Sequence, residues 1–273
     1  MKYFIYLMFL ALFITSCSES TNNIDTDDDN GQELTSQNID IKLNIKQNTG
    51  NIFQLLEFSL YSEKGFTLLD ARNTYDSLVW TIPNLGRFHI FNRSSFTFAW
   101  SQNFFLSGKY TSILQGYKDN KSIKADTAYI TIRNDKDFLG YNWKDITKPL
   151  GYSTGYADVL SDHYTFATYQ SIKDSIPSIT LFLLNEGKDD EKTFSQKSEK
   201  ILSDYINTLY SEPTYTEKQN ELLTKEYNKL FNNKKEGVKP LSIWITPTAR
   251  IVLYSDLDEY RGYNEYRIQA EPN

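Results

Sequence analysis

Ile39, Ile41, Leu43 and Ile45 alternate with Asp40, Lys42, Asn44 and Lys46. This is the period-two pattern of a strand with one buried face. The Gln47-Asn48-Thr49-Gly50-Asn51 cluster supplies turn chemistry before an apolar run through Phe58, Leu60 and Tyr61. A second turn at Glu63-Lys64-Gly65 leads to a short strand at 66–69, and further strands are predicted at 75–82, 88–91, 95–100, 109–117 and 125–133. Short strands at this spacing, with Gly, Asn and Pro between them, predict an antiparallel β-sandwich over 39–134.

From residue 135 the pattern changes. Residues 136–176 are rich in Tyr, Gly, Ser and Asp and show no dominant period. Residues 178–185 form a continuous apolar run, bounded by Pro177 and Glu186-Gly187, that reads as a buried strand. Phe194, Ile201, Leu202, Tyr205, Ile206 and Leu209 then fall on one helical face, with Thr193 and Gln196 at capping-box spacing and Pro213 beyond the end. Thr216 and Gln219 repeat that spacing ahead of Leu222, Leu223, Tyr227, Leu230 and Phe231, and Gly237 and Pro240 close the second helix. Strands follow at 241–246, 250–254 and 265–270. The expectation is a multidomain chain: a sandwich, then an α+β domain over 135–273 with a helical hairpin packed on one sheet face.

The chain begins with Met1-Lys2 and an apolar run over residues 3–14. Twelve helical residues rise about 18 Å, short of the roughly 30 Å hydrocarbon core, so the run reads as the h-region of a signal peptide. Ile14-Thr15-Ser16-Cys17 follows and resembles the lipoprotein signal of bacteria. That resemblance implies a signal peptide over 1–16, cleavage before Cys17 and lipid on its thiol. Two or three acyl chains, at about 0.8 kcal/mol per buried CH₂, anchor a protein without a spanning helix.

Residues 18–38 hold Glu19, Asp25, Asp27, Asp28, Asp29 and Glu33 but no Lys or Arg. Otherwise mostly Ser, Thr, Asn, Gln and Gly, the segment 17–38 reads as a flexible tether spanning roughly 25 Å. Those acidic residues carry −6 of the −7 left once Lys2 is removed with the signal, so nearly all of that charge sits beside Cys17. Acidic residues after a lipidated cysteine resemble the surface-export signal of Bacteroidota lipoproteins, which implies outer-membrane attachment facing the cell exterior.

Two strings refine the first domain. Leu78-Val79-Trp80-Thr81-Ile82 places a tryptophan mid-strand, as immunoglobulin-like (Ig-like) folds do, and is read as core filler. Leu106-Ser107-Gly108-Lys109-Tyr110-Thr111-Ser112-Ile113-Leu114 resembles the lead-in to a late strand of PKD-like domains. Together they imply an Ig-like, PKD-like sandwich.

Composition narrows the chemistry. One cysteine excludes an internal disulfide, and His89 and His163 are too few for a zinc ribbon. Net negative charge argues against nucleic acid. P-loop, dinucleotide-binding, zincin and nucleophile-elbow strings are absent, so no cofactor, metal or catalytic residue is assigned. Asp256, Asp258 and Glu259 form the densest acidic cluster of the body and read as a solvated turn ahead of Arg261-Gly262.

Tyr141, Trp143, Tyr152 and Tyr156, with Tyr164, Phe166 and Tyr169, crowd the domain junction; they are candidates for glycan contact or for packing. Asp76-Ser77-Leu78, Asp126-Thr127-Ala128 and Asp174-Ser175-Ile176 resemble the O-glycosylation sequon of Bacteroidota exported proteins, marking Thr127 and Ser175; burial of Ser77 beside Trp80 would exclude that site. The expected function is non-enzymatic binding or adhesion at the cell surface, with a glycan or protein ligand and the membrane as partners. The alternatives are a subunit of an outer-membrane uptake or secretion assembly and a hydrolase in the α+β half.

Overall fold

Alternation of buried and exposed positions carries through into strands: β3 buries Leu56, Phe58 and Leu60 and exposes Leu55, Glu57 and Tyr61. The computed structural model describes residues 39–273 apart from 84, 93–94, 97–98, 150–152, 157–163, 186–188 and 259–261. The predicted signal 1–16 and tether 17–38, with Cys17, lie outside the described residues. The described residues form one compact unit.

The first half contains β1 (Lys42–Ile45), β2 (Thr49–Asn51), β3 (Leu55–Tyr61), α1 (Leu68–Thr74), β4 (Ser77–Ile82), β5 (Gly86–Asn92), β6 (Ser95–Phe96), β7 (Ala99–Asn103), β8 (Gly108–Lys118) and β9 (Lys121–Arg133). They form a three-stranded sheet, β1-β3-β7, and a six-stranded sheet, β2-β9-β8-β4-β5-β6. All pairings in these sheets are antiparallel except β2 with β9. The sheets meet through rings: Trp80 of β4 lies 5.0 Å from Phe58 and 5.4 Å from Trp100. Its indole N–H donates to Ser112 Oγ at 2.7 Å, which satisfies a polar group that burial would otherwise penalise.

The expected strand at 66–69 is a correction. Thr67 and Asp70 cap each other (Thr67 N to Asp70 Oδ2, 2.8 Å; Asp70 N to Thr67 Oγ1, 3.2 Å) and start α1. A reciprocal cap satisfies two otherwise orphaned backbone donors, which outweighs the strand preference of four apolar-rich residues.

The second half contains β10 (Ser153–Tyr156), β11 (Tyr164–Lys173), β12 (Ile176–Asn185), α2 (Glu191–Tyr210), β13 (Tyr215–Thr216), α3 (Asn220–Leu230), β14 (Lys239–Ile245), β15 (Ala249–Asp258) and β16 (Tyr263–Pro272). Their seven strands make one antiparallel sheet in the order β10-β11-β12-β16-β15-β14-β13. The helix α2 starts at Asp190, whose carboxylate accepts from Lys192 N and Thr193 N, three residues ahead of the predicted Thr193 cap. The Thr216–Gln219 box is present and opens the 3₁₀ turn that runs into α3.

The helical hairpin on one face is also corrected. Leu202, Tyr205 and Ile206 of α2 share a core with Ile251, Leu253 and Ile268, whereas Leu223 and Tyr227 of α3 and Phe231 just after it pack with Ile243, Val252 and Tyr254. Successive strand residues point to opposite faces, so the two helices cover opposite sides of the sheet. The cause lies in their connection. Tyr215–Thr216 pairs with β14 as the last strand, and Thr214 N donates to Ile243 O, so the chain passes round the sheet edge between the helices.

Each hydrogen-bonded sheet takes its strands from one side of residue 134, but the halves share a core. Phe53 and Phe105 meet Phe166 and Tyr205 with ring centroids 5.5–6.5 Å apart. The Tyr205 hydroxyl donates to Phe105 O at 2.8 Å. At Gly140 (φ +79°) a Cβ would stand 1.9 Å from Ile52 O, so only glycine allows this approach of the two backbones.

Candidate functional site: a cleft between two diverging strands

β12 and β16 are each ten residues long but pair with each other only over 179–181 against 268–270. Beyond those three pairs β12 stays with β11 and β16 stays with β15, and no ladder joins 182–185 to 263–267. The strands diverge there, and the first turns of α2 sit against the opening. The result is a cleft of about 300 Å³ lined by residues 182–185 and 263–267 with Glu191, Phe194, Ser195 and Ser198.

Each wall has a local reason. The Asp190 cap fixes the start of α2, and hydrogen bonds from Thr193 hold its carboxyl below the usual range. One turn on, Ser195 Oγ donates to Asn264 O at 2.6 Å and pins the start of β16 to the helix. The Tyr263 hydroxyl donates to Glu191. Tyr263, Glu265 and Arg267 share one face of β16, and Asn264 and Tyr266 the other.

Arg267 donates to Glu265 at 2.5 Å and lies 5.9 Å from the centroid of the Phe182 ring. Burial opposes the charge on Arg267, yet the Glu265 hydrogen bond and the neighbouring Tyr254, Glu265 and Asp256 charges hold its pKa above the ordinary value. Burial, followed by the Glu199 charge, pushes the Tyr266 phenol up. The cleft thus holds four aromatic rings with amides, hydroxyls and a compensated ion pair between them. Such a surface can stack a ring and hydrogen-bond its rim.

A second concavity of similar volume lies on the small sheet, lined by Asn44, Lys46, Glu57, Phe58, Ser59, Ala99, Trp100 and Ser101. Its two charged side chains are well exposed and pair with each other at 2.7 Å. An exposed pair of this kind contributes little.

The residues singled out from sequence are spread across the fold. Tyr141 pairs with Phe138 through both backbone hydrogen bonds of a tight turn at Leu139-Gly140 and packs on the shared core. The Trp143 ring stacks on Phe138 (5° between planes), and its N–H donates to Thr248 O at 2.7 Å. These two rings belong to the joint between the halves. Tyr156 is the last residue of β10, and Tyr152 and His163 lie outside the described residues.

Thr127 is exposed on β9, and the preceding Asp126 accepts from Leu43 N at 2.8 Å. Ser175 is exposed in the two-residue turn between β11 and β12, where Asp174 (φ 51°) and Ser175 (φ 65°) are both left-handed. Ser77 is half-buried in β4 between β5 and β8. Asp256 pairs with Lys235, Asp258 ends β15, and Glu259 lies outside the described residues.

Among the described residues there is no group of three or more His, Cys, Asp or Glu side chains placed to hold a metal ion. No helix among them is long and apolar enough to cross a membrane.

The cleft residues Glu191, Phe194, Tyr263, Glu265, Tyr266 and Arg267 were not among the sequence candidates. Their one sequence signal is the mixed aromatic and polar run Tyr263-Asn264-Glu265-Tyr266-Arg267 at the start of a strand. Comparison with protein-family models, curated proteins and solved structures gives no match.

Proposed function

We propose that the protein is a non-enzymatic binding module, attached to the outer membrane by lipid on Cys17 and facing the cell exterior, with the β12–β16 cleft as its ligand site. The observation that carries the binding reading is the cleft itself, a concave surface with hydrogen-bonding groups between aromatic rings on two walls and a helix end. The attachment reading rests on Ile14-Thr15-Ser16-Cys17 and the acidic segment after it. The Ig-like reading of the first half, as a spacer carrying the second, is supported by Trp80 lying mid-strand between two packed sheets.

A thermal-shift screen of the full-length protein against sugars, peptides and small metabolites tests the binding reading. A ligand that raises the Tm of the native chain but not of Leu184→Trp, which fills the cleft from an exposed position, supports it; stabilisation that persists in the variant contradicts it. For attachment, palmitate labelling disappears in Cys17→Ala, and protease treatment of intact cells degrades the protein.

One observation favours hydrolysis as a second reading. Two carboxylates, Glu191 and Glu265, line the same cleft, and a pair of carboxylates is the core of glycoside hydrolysis. Against it, Glu265 is ion-paired with Arg267 and Glu191 accepts from Tyr263. Turnover that Glu191→Gln and Glu265→Gln each abolish would establish this second reading.

A further inference from the structure

The geometry points to a neutral saccharide residue as the ligand of the β12–β16 cleft, an inference that rests on the cleft being the binding site. Three features of the cleft select this chemistry.

The first is charge. The charged groups at the cleft already have partners: Arg267 with Glu265, and Glu191 with the Tyr263 hydroxyl. An anionic ligand would have to draw Arg267 away from Glu265 and leave a half-buried carboxylate uncompensated, which costs more than the new contact returns. A neutral ligand leaves them in place.

The second is the mixture of rings and hydrogen-bonding groups. Phe182, Phe194, Tyr263 and Tyr266 supply aromatic faces, and the exposed Asn264 supplies an amide that can donate and accept. A pyranose matches both, since its C–H faces stack on rings and each rim hydroxyl can donate once and accept twice. Hydroxyls can therefore meet donors and acceptors in any order along the walls.

The third is topology, which disfavours the main competitor, an extended peptide. β12 and β16 run antiparallel. A strand laid between them would be antiparallel to one and parallel to the other, and parallel pairing is the weaker of the two. The volume of about 300 Å³ lies at the small end of ligand pockets, so the cleft holds one ring or a chain end.

The test is an array carrying neutral oligosaccharides, sialylated and sulfated glycans, and extended peptides, probed with the detergent-solubilised full-length protein. Tyr263→Ala and Leu184→Trp are run beside it, with thermal melts to confirm that both variants fold. The expected result is binding to neutral glycans, weakened at least about tenfold in both variants, as loss of a central aromatic contact does. Tyr263→Phe, which keeps the ring, retains most of the binding.

Acidic glycans or peptides that bind and are lost in the same variants overturn the saccharide assignment and leave the cleft as the site. Neutral glycans whose binding is untouched by both variants overturn the cleft reading itself. No glycan signal, together with a non-sugar hit in the thermal screen that Leu184→Trp abolishes, overturns the saccharide assignment alone.

Discussion

At the joint between the two halves, Phe53, Phe105, Phe166 and Tyr205 pack ring on ring, and the buried Tyr205 hydroxyl donates to Phe105 O. In the cleft, Phe182, Phe194, Tyr263 and Tyr266 are half-buried, and Asn264, Glu265 and Arg267 stand among them. Both places bring aromatic side chains together, across the two halves at the joint and within the second half in the cleft. They differ in what fills the space between the rings. At the joint, rings fill it and polar groups are satisfied internally; in the cleft, polar groups fill it and the ladder that could close it stops after three pairs. Richness in aromatic residues is therefore a packing signal at one place and a recognition signal at the other. The polar residues between the rings decide which.

The comparison can be broken most severely at the joint. Gly140→Ala puts a Cβ into Ile52 O at a left-handed backbone position and is expected to cost about 4 kcal/mol or more. Tyr205→Ala, which empties a fully buried site, costs about 3–5 kcal/mol. Denaturant unfolding measures both, and both are expected to unfold the halves in one transition because the core is shared.

Next comes Glu271, whose fully buried carboxylate accepts from Asn232 N (2.9 Å), Asn233 N (2.8 Å) and Gln269, with Arg250 nearby. Glu271→Ala leaves those donors and the Arg250 charge unanswered, at a cost of about 3 kcal/mol by the same measurement.

Alkaline pH attacks the interior through its phenols. Burial pushes Tyr210 and Tyr254 from 10.0 up to about 12 and Tyr205 well above its ordinary value. The unfolded chain then loses these protons first. The stability is fully present below about pH 10 and falls as the pH rises toward 12, which denaturant midpoints at successive pH values will show. Tyr210→Phe flattens that fall, while removing the acceptor for Leu139 N costs about 1 kcal/mol at neutral pH.

The cleft is expected to tolerate change. Glu265→Gln and Tyr263→Phe shift stability by less than about 1 kcal/mol, because both residues are partly exposed. Smallest of all is Lys46→Ala, which removes one exposed ion pair and moves stability by less than about 0.5 kcal/mol.

Much of the local structure was legible in the sequence. The period-two run at 39–45, of which 42–45 is strand, the mid-strand Trp80 and the Thr216–Gln219 box depend on near neighbours. At 66–69 a helix start replaces the expected strand because Thr67 and Asp70 cap each other, and α2 starts three residues early because Asp190 caps it. β11 was hidden because Thr165, Thr168 and Gln170 are buried polar residues that mask its alternation. The helix positions failed for a non-local reason: two residues, Tyr215 and Thr216, carry the chain round a sheet edge. The cleft was the least legible feature. It exists where the β12–β16 ladder stops, and these strands are separated by two helices and three other strands along the chain.

Chemical-shift mapping of a neutral oligosaccharide titrated into the protein tests the central claim most directly. The account predicts perturbations concentrated at residues 182–185, 191–198 and 263–267. Perturbations centred instead on the groove at Lys46, Glu57 and Trp100, or on Tyr141 and Trp143, would contradict it.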